Sequence, residues 1–118
     1  MHKIAIIVLA DTDRHEGLGR VVNALMAAKE FKAAADDVRI IFDGAGTKWV
    51  PELANPEHKT HGLYKAVRDK VTGVCGFCAG AFGATHGVEK EGVPFAHDFE
   101  GHPSFRRLVD DGYQIITF

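Results

Sequence analysis

Residues 4–10 have the sequence Ile-Ala-Ile-Ile-Val-Leu-Ala, an apolar run without any polar alternation. Such a continuous run, rich in β-branched residues, is typical of a strand covered on both faces, as in a parallel sheet. The run is too short to cross a membrane, and Asp11-Thr12-Asp13 follows it without the small-residue pattern of a signal-peptide cleavage site. We therefore expect a buried first strand in a cytoplasmic protein.

Segments with helical spacing alternate with further apolar segments along the rest of the chain. In the first helical segment Leu18, Val21 and Leu25 fall on one stripe, and Thr12 and Asp13 are candidate caps at its start. Strands that alternate with helices indicate βαβ units and a parallel sheet. The predicted strands are 4–10, 38–42, 72–75, 94–97 and 113–118; the later helices are about 58–70, 78–88 and 103–110.

The length and the alternation of strands and helices predict one α/β domain over residues 1–118, with a three-layer α/β/α arrangement around five mostly parallel strands. Hydrophobic residues make up 46% of the chain, enough for a core without disulfide or metal support. The 14 basic and 16 acidic residues are well mixed and give a formal net charge of −2. Nucleic acids and anionic membranes select a basic face, so neither is expected as a partner.

The segment Cys75-Gly76-Phe77-Cys78 contains the two cysteines of the chain, at the predicted junction of strand three and the following helix. A helix N-terminus stabilises an anion, and the thiolate is the reactive form of cysteine. The spacing also allows a disulfide between the two thiols. We expect Cys75 to face the open edge of the sheet and Cys78 to pack beneath the helix, although both can equally be small buried core residues.

Other polar residues follow the carboxyl ends of the predicted strands, where parallel sheets bind ligands. Asp11 and Thr12 follow strand one, Asp43 and Gly44 follow strand two, and His97 closes strand four. These are candidates for a ligand cleft, and His97 is a candidate to tune the Cys75 thiol. For each of them an ordinary role in a turn or cap remains an alternative.

A metal site is not predicted, and no cofactor is expected. A closed zinc site needs a second pair of ligands, and the chain has no second C-x-x-C motif. His58 and His61 have a possible ligand spacing on one predicted helix, but they follow the polar Pro56-Glu57 and indicate a solvated face.

The segment Gly73-Val74-Cys75 at a strand end, the small-residue helix after it and the closing Gly112 to Ile116 resemble the DsrE/DsrF-like (YchN-like) sulfur-relay family. The resemblance covers nearly the whole chain and implies the strand order 4-3-2-1-5. It places the persulfide-accepting role on Cys75, with Gly83 eight residues later as in some members. Cys78 is not a general feature of the relay proteins.

The resemblance implies a sulfur carrier or sulfurtransferase that works with donor and acceptor proteins and assembles as a trimer or hexamer. Trp49, Val50 and Leu53, predicted to lie in a loop, also favour a homo-oligomer because a surface of large apolar groups marks an interface. Two alternatives stay open at this point. One is a thiol-disulfide protein that uses both cysteines, and the other is a non-enzymatic module that binds a small ligand or a partner.

Overall fold

The sheet of the computed structural model, which describes all residues from Met1 to Phe118, has five strands in the order β4-β3-β2-β1-β5. Every neighbouring pair is parallel. The strand order implied by the family resemblance is therefore confirmed, and the sheet is parallel throughout. The strands are β1 Lys3–Val8, β2 Asp37–Phe42, β3 Val71–Cys75, β4 Phe95–Ala96 and β5 Gln114–Thr117.

Helices cover both faces of this sheet and complete the three-layer α/β/α fold. Two 3-10 helices, at Gly44–Lys48 and Arg68–Lys70, supplement six α-helices. No helix is both long enough and apolar enough to cross a membrane. The α-helices are α1 His15–Ala33, α2 Trp49–Ala54, α3 His61–Val67, α4 Gly76–Ala81, α5 Thr85–Lys90 and α6 Phe105–Asp110.

The continuous apolar run of β1 is explained by a core on each side of the sheet. Ile4 and Ile6 point into the larger core, which α1, α2, α3 and α5 close from one side. Ala5 and Ile7 point into a smaller core with Leu108 of α6. Because successive side chains of a strand face opposite sides, a strand with helices on both faces has no polar positions.

The first helix begins later than its predicted caps. It starts at His15, and the capping position belongs to Arg14, which makes no side-chain cap bond. Thr12 is instead part of a local turn in which its backbone N–H donates to Asp11 Oδ1 at 2.6 Å. The prediction that Thr12 and Asp13 cap this helix is therefore wrong.

The segment 78–88, predicted as one helix, consists of α4 and α5 with a break between them. Gly83 has a φ of +71°, in the left-handed region that interrupts a right-handed helix and that glycine adopts without strain. Ala84 closes the turn by donating its N–H to the Ala79 carbonyl at 2.7 Å. The small residues of this segment predicted a helix, but they did not show where that helix ends.

The segment with Trp49, Val50 and Leu53 is helix α2 rather than a loop, and these three side chains are buried inside the chain. The indole N–H of Trp49 donates to the Ala10 carbonyl at 2.8 Å. The prediction that these three side chains form an apolar surface in a loop is therefore wrong.

The helix predicted over 58–70 is shorter at its start, because α3 begins at His61. Neither candidate histidine in this segment is solvated in the way that the sequence suggested. His58 Nδ1 accepts a hydrogen bond from the Thr60 N–H at 3.0 Å, and His61 Nδ1 lies 2.8 Å from the Leu53 carbonyl oxygen. Both imidazoles thus serve the local structure.

Candidate functional site

The two cysteines lie where β3 ends and α4 begins, at the carboxyl edge of the sheet. Cys75 is the last residue of β3 and occupies the capping position of α4. Its Sγ accepts a hydrogen bond from the backbone N–H of Cys78 at 3.4 Å. The Cys75 thiol takes the place of the usual hydroxyl or carboxylate cap. This hydrogen bond closes a turn in the C-x-x-C segment and brings the two sulfur atoms near each other.

A histidine from the loop between β4 and α6 completes the thiol pair. His102 Nδ1 lies 3.2 Å from Cys75 Sγ and 4.0 Å from Cys78 Sγ. The loop is held by a tight hairpin in which Phe99 and His102 exchange two backbone hydrogen bonds of 2.8 Å. Between them Glu100 and Gly101 both have positive φ, at 49° and 85°, as a two-residue hairpin turn requires.

Phe77 locks this hairpin against the start of α4. Its backbone N–H donates to the Gly101 carbonyl at 2.9 Å, and its ring lies 4.9 Å from the His102 imidazole, centroid to centroid. The Gly101 carbonyl also faces the Cys75 thiol at 3.8 Å. The position of the imidazole is therefore set by backbone bonds and ring packing, and not only by the thiols.

Asp43, the residue after β2, adds a carboxylate to the same point. Its Oδ1 accepts a hydrogen bond from the Gly44 N–H at 2.8 Å, which orients the side chain at the start of the 3-10 helix. One ligand atom from each of Asp43, Cys75, Cys78 and His102 lies within 4.8 Å of all the others. We refer to these four residues as the thiol cluster.

The two thiols differ in access to solvent. Cys75 is fully buried, whereas Cys78 is half-buried. This reverses the expectation that Cys75 faces the open edge and that Cys78 packs beneath the helix. Cys75 ends β3, which lies between β4 and β2, and its side chain has no solvent exposure, so a reagent from solvent reaches Cys78 first.

Burial raises the pKa of the Cys75 thiol to about 12, and the neighbouring Asp43 carboxylate adds to the effect because it repels a thiolate. The hydrogen bond from the Cys78 backbone N–H acts in the opposite direction but is the smaller influence. The sequence-based expectation that the helix start gives Cys75 an acidic thiol is therefore wrong. At neutral pH Cys75 is a protonated thiol with an imidazole nitrogen within reach.

His97 lies outside the thiol cluster. Its ring is exposed and covers the Cα of Gly76, where an added Cβ would approach His97 Cε1 to 2.0 Å. The histidine that contacts Cys75 is His102, five residues further along the chain. Sequence reasoning missed His102 because it lies beyond the predicted fourth strand, in a short hairpin. The glycine at position 101 is the one sequence signal for a turn there.

The remaining cleft candidates have separate roles. Asp11 pairs with Lys48, and this ammonium group and the Thr12 N–H lower the pKa of the Asp11 carboxyl. Asp11 and Thr12 are not part of the thiol cluster. Gly44 contributes through its backbone, since its N–H holds Asp43 and its φ of +54° suits a glycine. Asp43 and Gly44 thus lie beside the cysteines at this edge of the sheet, whereas Asp11 and Thr12 form a separate turn, and a ligand cleft at this edge stays a prediction.

Among the comparisons with known proteins a solved structure supports the fold, and neither similar protein has a named function. The chain is 27% identical over 115 residues to an uncharacterized protein of Methanocaldococcus jannaschii, covering 97% of this chain and 93% of that protein. The solved structure of a conserved protein of unknown function from Bacteroides thetaiotaomicron is similar with a TM-score of 0.64 and 17% identity, over 97% of this chain and 94% of that one. No known family model matches the chain.

Proposed function

We propose that this protein is a small carrier of sulfane sulfur that holds a persulfide on Cys75 and exchanges the sulfur through Cys78. The observation that carries the proposal is the placement of the buried Cys75 thiol between the His102 imidazole at 3.2 Å and the Cys78 N–H at 3.4 Å. Either group can hydrogen-bond a sulfur anion, which offsets in part the burial and the Asp43 carboxylate that raise the pKa of the Cys75 thiol. The resemblance to the DsrE/DsrF-like relay proteins supports the same role for Cys75.

The first step takes place on Cys78, because it is the accessible thiol of the pair. The Cys78 thiolate attacks the terminal sulfur of a donor persulfide, R–S–SH. A new bond forms between Cys78 Sγ and that sulfur, and the S–S bond of the donor breaks. The donor leaves as a thiolate, which takes up the proton released by Cys78, so no oxidant is consumed.

In the second step the sulfur moves to Cys75. The Cys75 thiol passes its proton to His102 Nδ1, in the tautomer that carries hydrogen on Nε2, and attacks the same outer sulfur. The bond to Cys78 breaks, and the Cys78 thiolate recovers a proton. The raised pKa of Cys75 makes the free thiol a poor nucleophile, so this transfer depends on His102 as the proton acceptor.

A thiol-disulfide reaction differs only in which sulfur is attacked. If Cys75 attacks the inner sulfur on Cys78, a disulfide joins the two residues, and sulfide leaves with the electron pair of the broken bond. The product distribution therefore separates this alternative from sulfur carriage: carriage conserves the added sulfur on the protein, whereas disulfide formation releases it.

The test is intact mass spectrometry and peptide mapping of chelator-treated protein after incubation with glutathione persulfide. We expect one added sulfur, mapped to Cys75, in the wild-type chain. Cys78→Ser should load slowly, by about tenfold or more, because the exposed entry thiol is lost. Cys75→Ser should accept sulfur on Cys78 but lose it rapidly to added thiol. His97→Gln, outside the thiol cluster, is the matched control and should load normally.

Three results would contradict the proposal. Sulfur that stays on Cys78 in the wild-type chain would show that Cys78, and not Cys75, is the carrier. A disulfide together with stoichiometric free sulfide would replace carriage by the thiol-disulfide reaction. If no sulfur adds to any variant while the denatured chain reacts, neither thiol is an acceptor in the folded protein.

The proposal includes partners and an assembly state. A carrier needs a donor and an acceptor protein, and a reducing cytoplasm keeps both thiols free. We propose a homo-oligomer, a trimer or hexamer, in which the exposed rings of Phe77 and Phe99 beside the thiol cluster are covered by a second copy. Light scattering that gives a monomer at micromolar concentration would refute this assembly.

A further inference from the structure

We propose that the thiol cluster of Asp43, Cys75, Cys78 and His102 is a binding site for one divalent cation of the Zn²⁺ class. This inference goes beyond sulfur carriage, because the same side chains would hold a metal ion instead of a persulfide, and one site cannot do both at the same time. The C-x-x-C motif lacks a second ligand pair in the sequence, and the fold supplies that pair from the end of β2 and from the hairpin after β4.

The spacing of the donor atoms matches a tetrahedral site. With zinc–sulfur and zinc–nitrogen bonds of about 2.3 and 2.05 Å, the S···N edge of a tetrahedron is about 3.5 Å. The two observed edges, 3.2 Å from Cys75 Sγ to His102 Nδ1 and 4.0 Å from Cys78 Sγ, lie on either side of that value. All four donor atoms lie within 4.8 Å of one another, so the widest separation has to shorten by about 1 Å to reach the tetrahedral edges of about 3.4–3.8 Å.

The chemistry of the donor set indicates the class of cation. Two sulfur atoms and one imidazole nitrogen favour borderline-soft ions with tetrahedral preference, of which Zn²⁺ is the usual one. The carboxylate of Asp43 makes a harder ligand that Zn²⁺ also accepts. Mg²⁺ and Ca²⁺, which prefer six or more oxygen ligands, do not fit these four residues.

Each ligand is oriented by groups outside the cluster, as metal ligands generally are. The Gly44 N–H holds Asp43, the paired backbone of Phe99 holds His102, and the start of α4 holds Cys75 and Cys78. The ligands come from three separate segments of the chain. A bound cation would therefore join the ends of β2 and β3 to the hairpin that precedes α6.

The test is titration of chelator-treated protein with Co²⁺ and with Zn²⁺. We expect one cation per chain by native mass spectrometry, and for Co²⁺ both thiolate-to-cobalt charge-transfer absorption and the visible bands of a tetrahedral ion. Cys75→Ser and Cys78→Ser should each weaken binding by at least about a hundredfold, beyond the effect of a typical outer-shell residue. Asp43→Asn and His102→Gln should weaken it as well, and the exposed His97→Gln is the matched control.

A measurement on the wild-type chain keeps the test decisive if a serine variant fails to fold. Bound Zn²⁺ should slow the alkylation of both cysteines, measured near pH 10 where the metal-free Cys75 thiol reacts appreciably, and a chelator should restore the metal-free rates. Reaction of either thiol at an unchanged rate in zinc-saturated protein would overturn the proposal, as would equal affinity in the variants of the four ligands. A cation shared between two chains would overturn it too. Sulfur loading is measured without metal, so failure of either proposal leaves the other intact.

Discussion

The buried state of Cys75 leads to a quantitative prediction for its reaction with iodoacetamide. Only the thiolate reacts, so the rate follows the ionised fraction. At pH 8 an ordinary cysteine with a pKa of 9.0 is about one-tenth ionised, whereas a thiol with a pKa of about 12 is ionised in roughly one molecule in ten thousand. Cys75 in the folded chain should therefore react about a thousandfold more slowly than in the unfolded chain, before any steric shielding is counted.

The assay is alkylation of chelator-treated wild-type protein from pH 7 to pH 11, with peptide mapping to separate the two cysteines. The same chain in guanidinium chloride supplies the reference rate for each site. We expect the logarithm of the folded-state Cys75 rate to rise in proportion to pH across the whole range. Asp43→Asn should accelerate the reaction, because it removes the carboxylate that helps to raise the pKa.

A Cys75 rate that levels off between pH 8 and 9 in the folded protein would refute the reasoning, since it would indicate an ordinary thiol. An unchanged rate in Asp43→Asn would remove the carboxylate from the explanation and leave burial alone. The free energy of unfolding depends on pH for the same reason. The pKa of Cys75 is higher in the folded than in the unfolded chain, so the protonated thiol stabilises the folded state in full below pH 9. This contribution declines as the pH rises towards 12.

Three further substitutions test the packing around the sheet. Tyr64→Phe should raise the free energy of unfolding by about 1 kcal/mol, because the buried Tyr64 hydroxyl has no hydrogen-bond partner. Tyr113→Phe, its counterpart, should lower the free energy of unfolding by about 1–2 kcal/mol, because the Tyr113 hydroxyl donates to Asp37 at 2.7 Å. Urea unfolding checks both, and equal effects would contradict the assignment. Gly46→Ala should cost at least about 2 kcal/mol, because the new Cβ would lie 2.2 Å from the Val8 carbonyl oxygen; a melting temperature within a degree of wild type would disprove this.

The agreement between sequence and structure is best where local pattern and burial coincide. The run 4–10 predicted a strand covered on both faces, and β1 has a core of 21 buried residues on one side and another of five on the other, although it ends at Val8 and leaves Leu9 exposed. The periodic stripe with Val21 and Leu25 likewise predicted α1. In both cases the spacing of the apolar side chains along the sequence follows from which faces of the strand or helix are buried.

Agreement is poorer where the backbone changes direction. The short helices α4 and α5 were predicted as one, and α2 was predicted as a loop. Small residues in the first case and Pro51 in the second obscured the pattern. The ends of short helices depend on a few tertiary contacts, such as the hydrogen bond between the Trp49 indole and the Ala10 carbonyl. These contacts leave no periodic pattern in the sequence.

The sequence by itself determined the α/β class, the parallel sheet and the location of the C-x-x-C motif at a strand end. It also placed Asp43 at the same edge, because the carboxyl ends of parallel strands meet there. Only the tertiary structure decided which thiol is buried, which histidine contacts it and that four possible ligands converge. His102 reaches Cys75 through a hairpin that folds back across 27 residues of chain, a distance over which no local pattern acts.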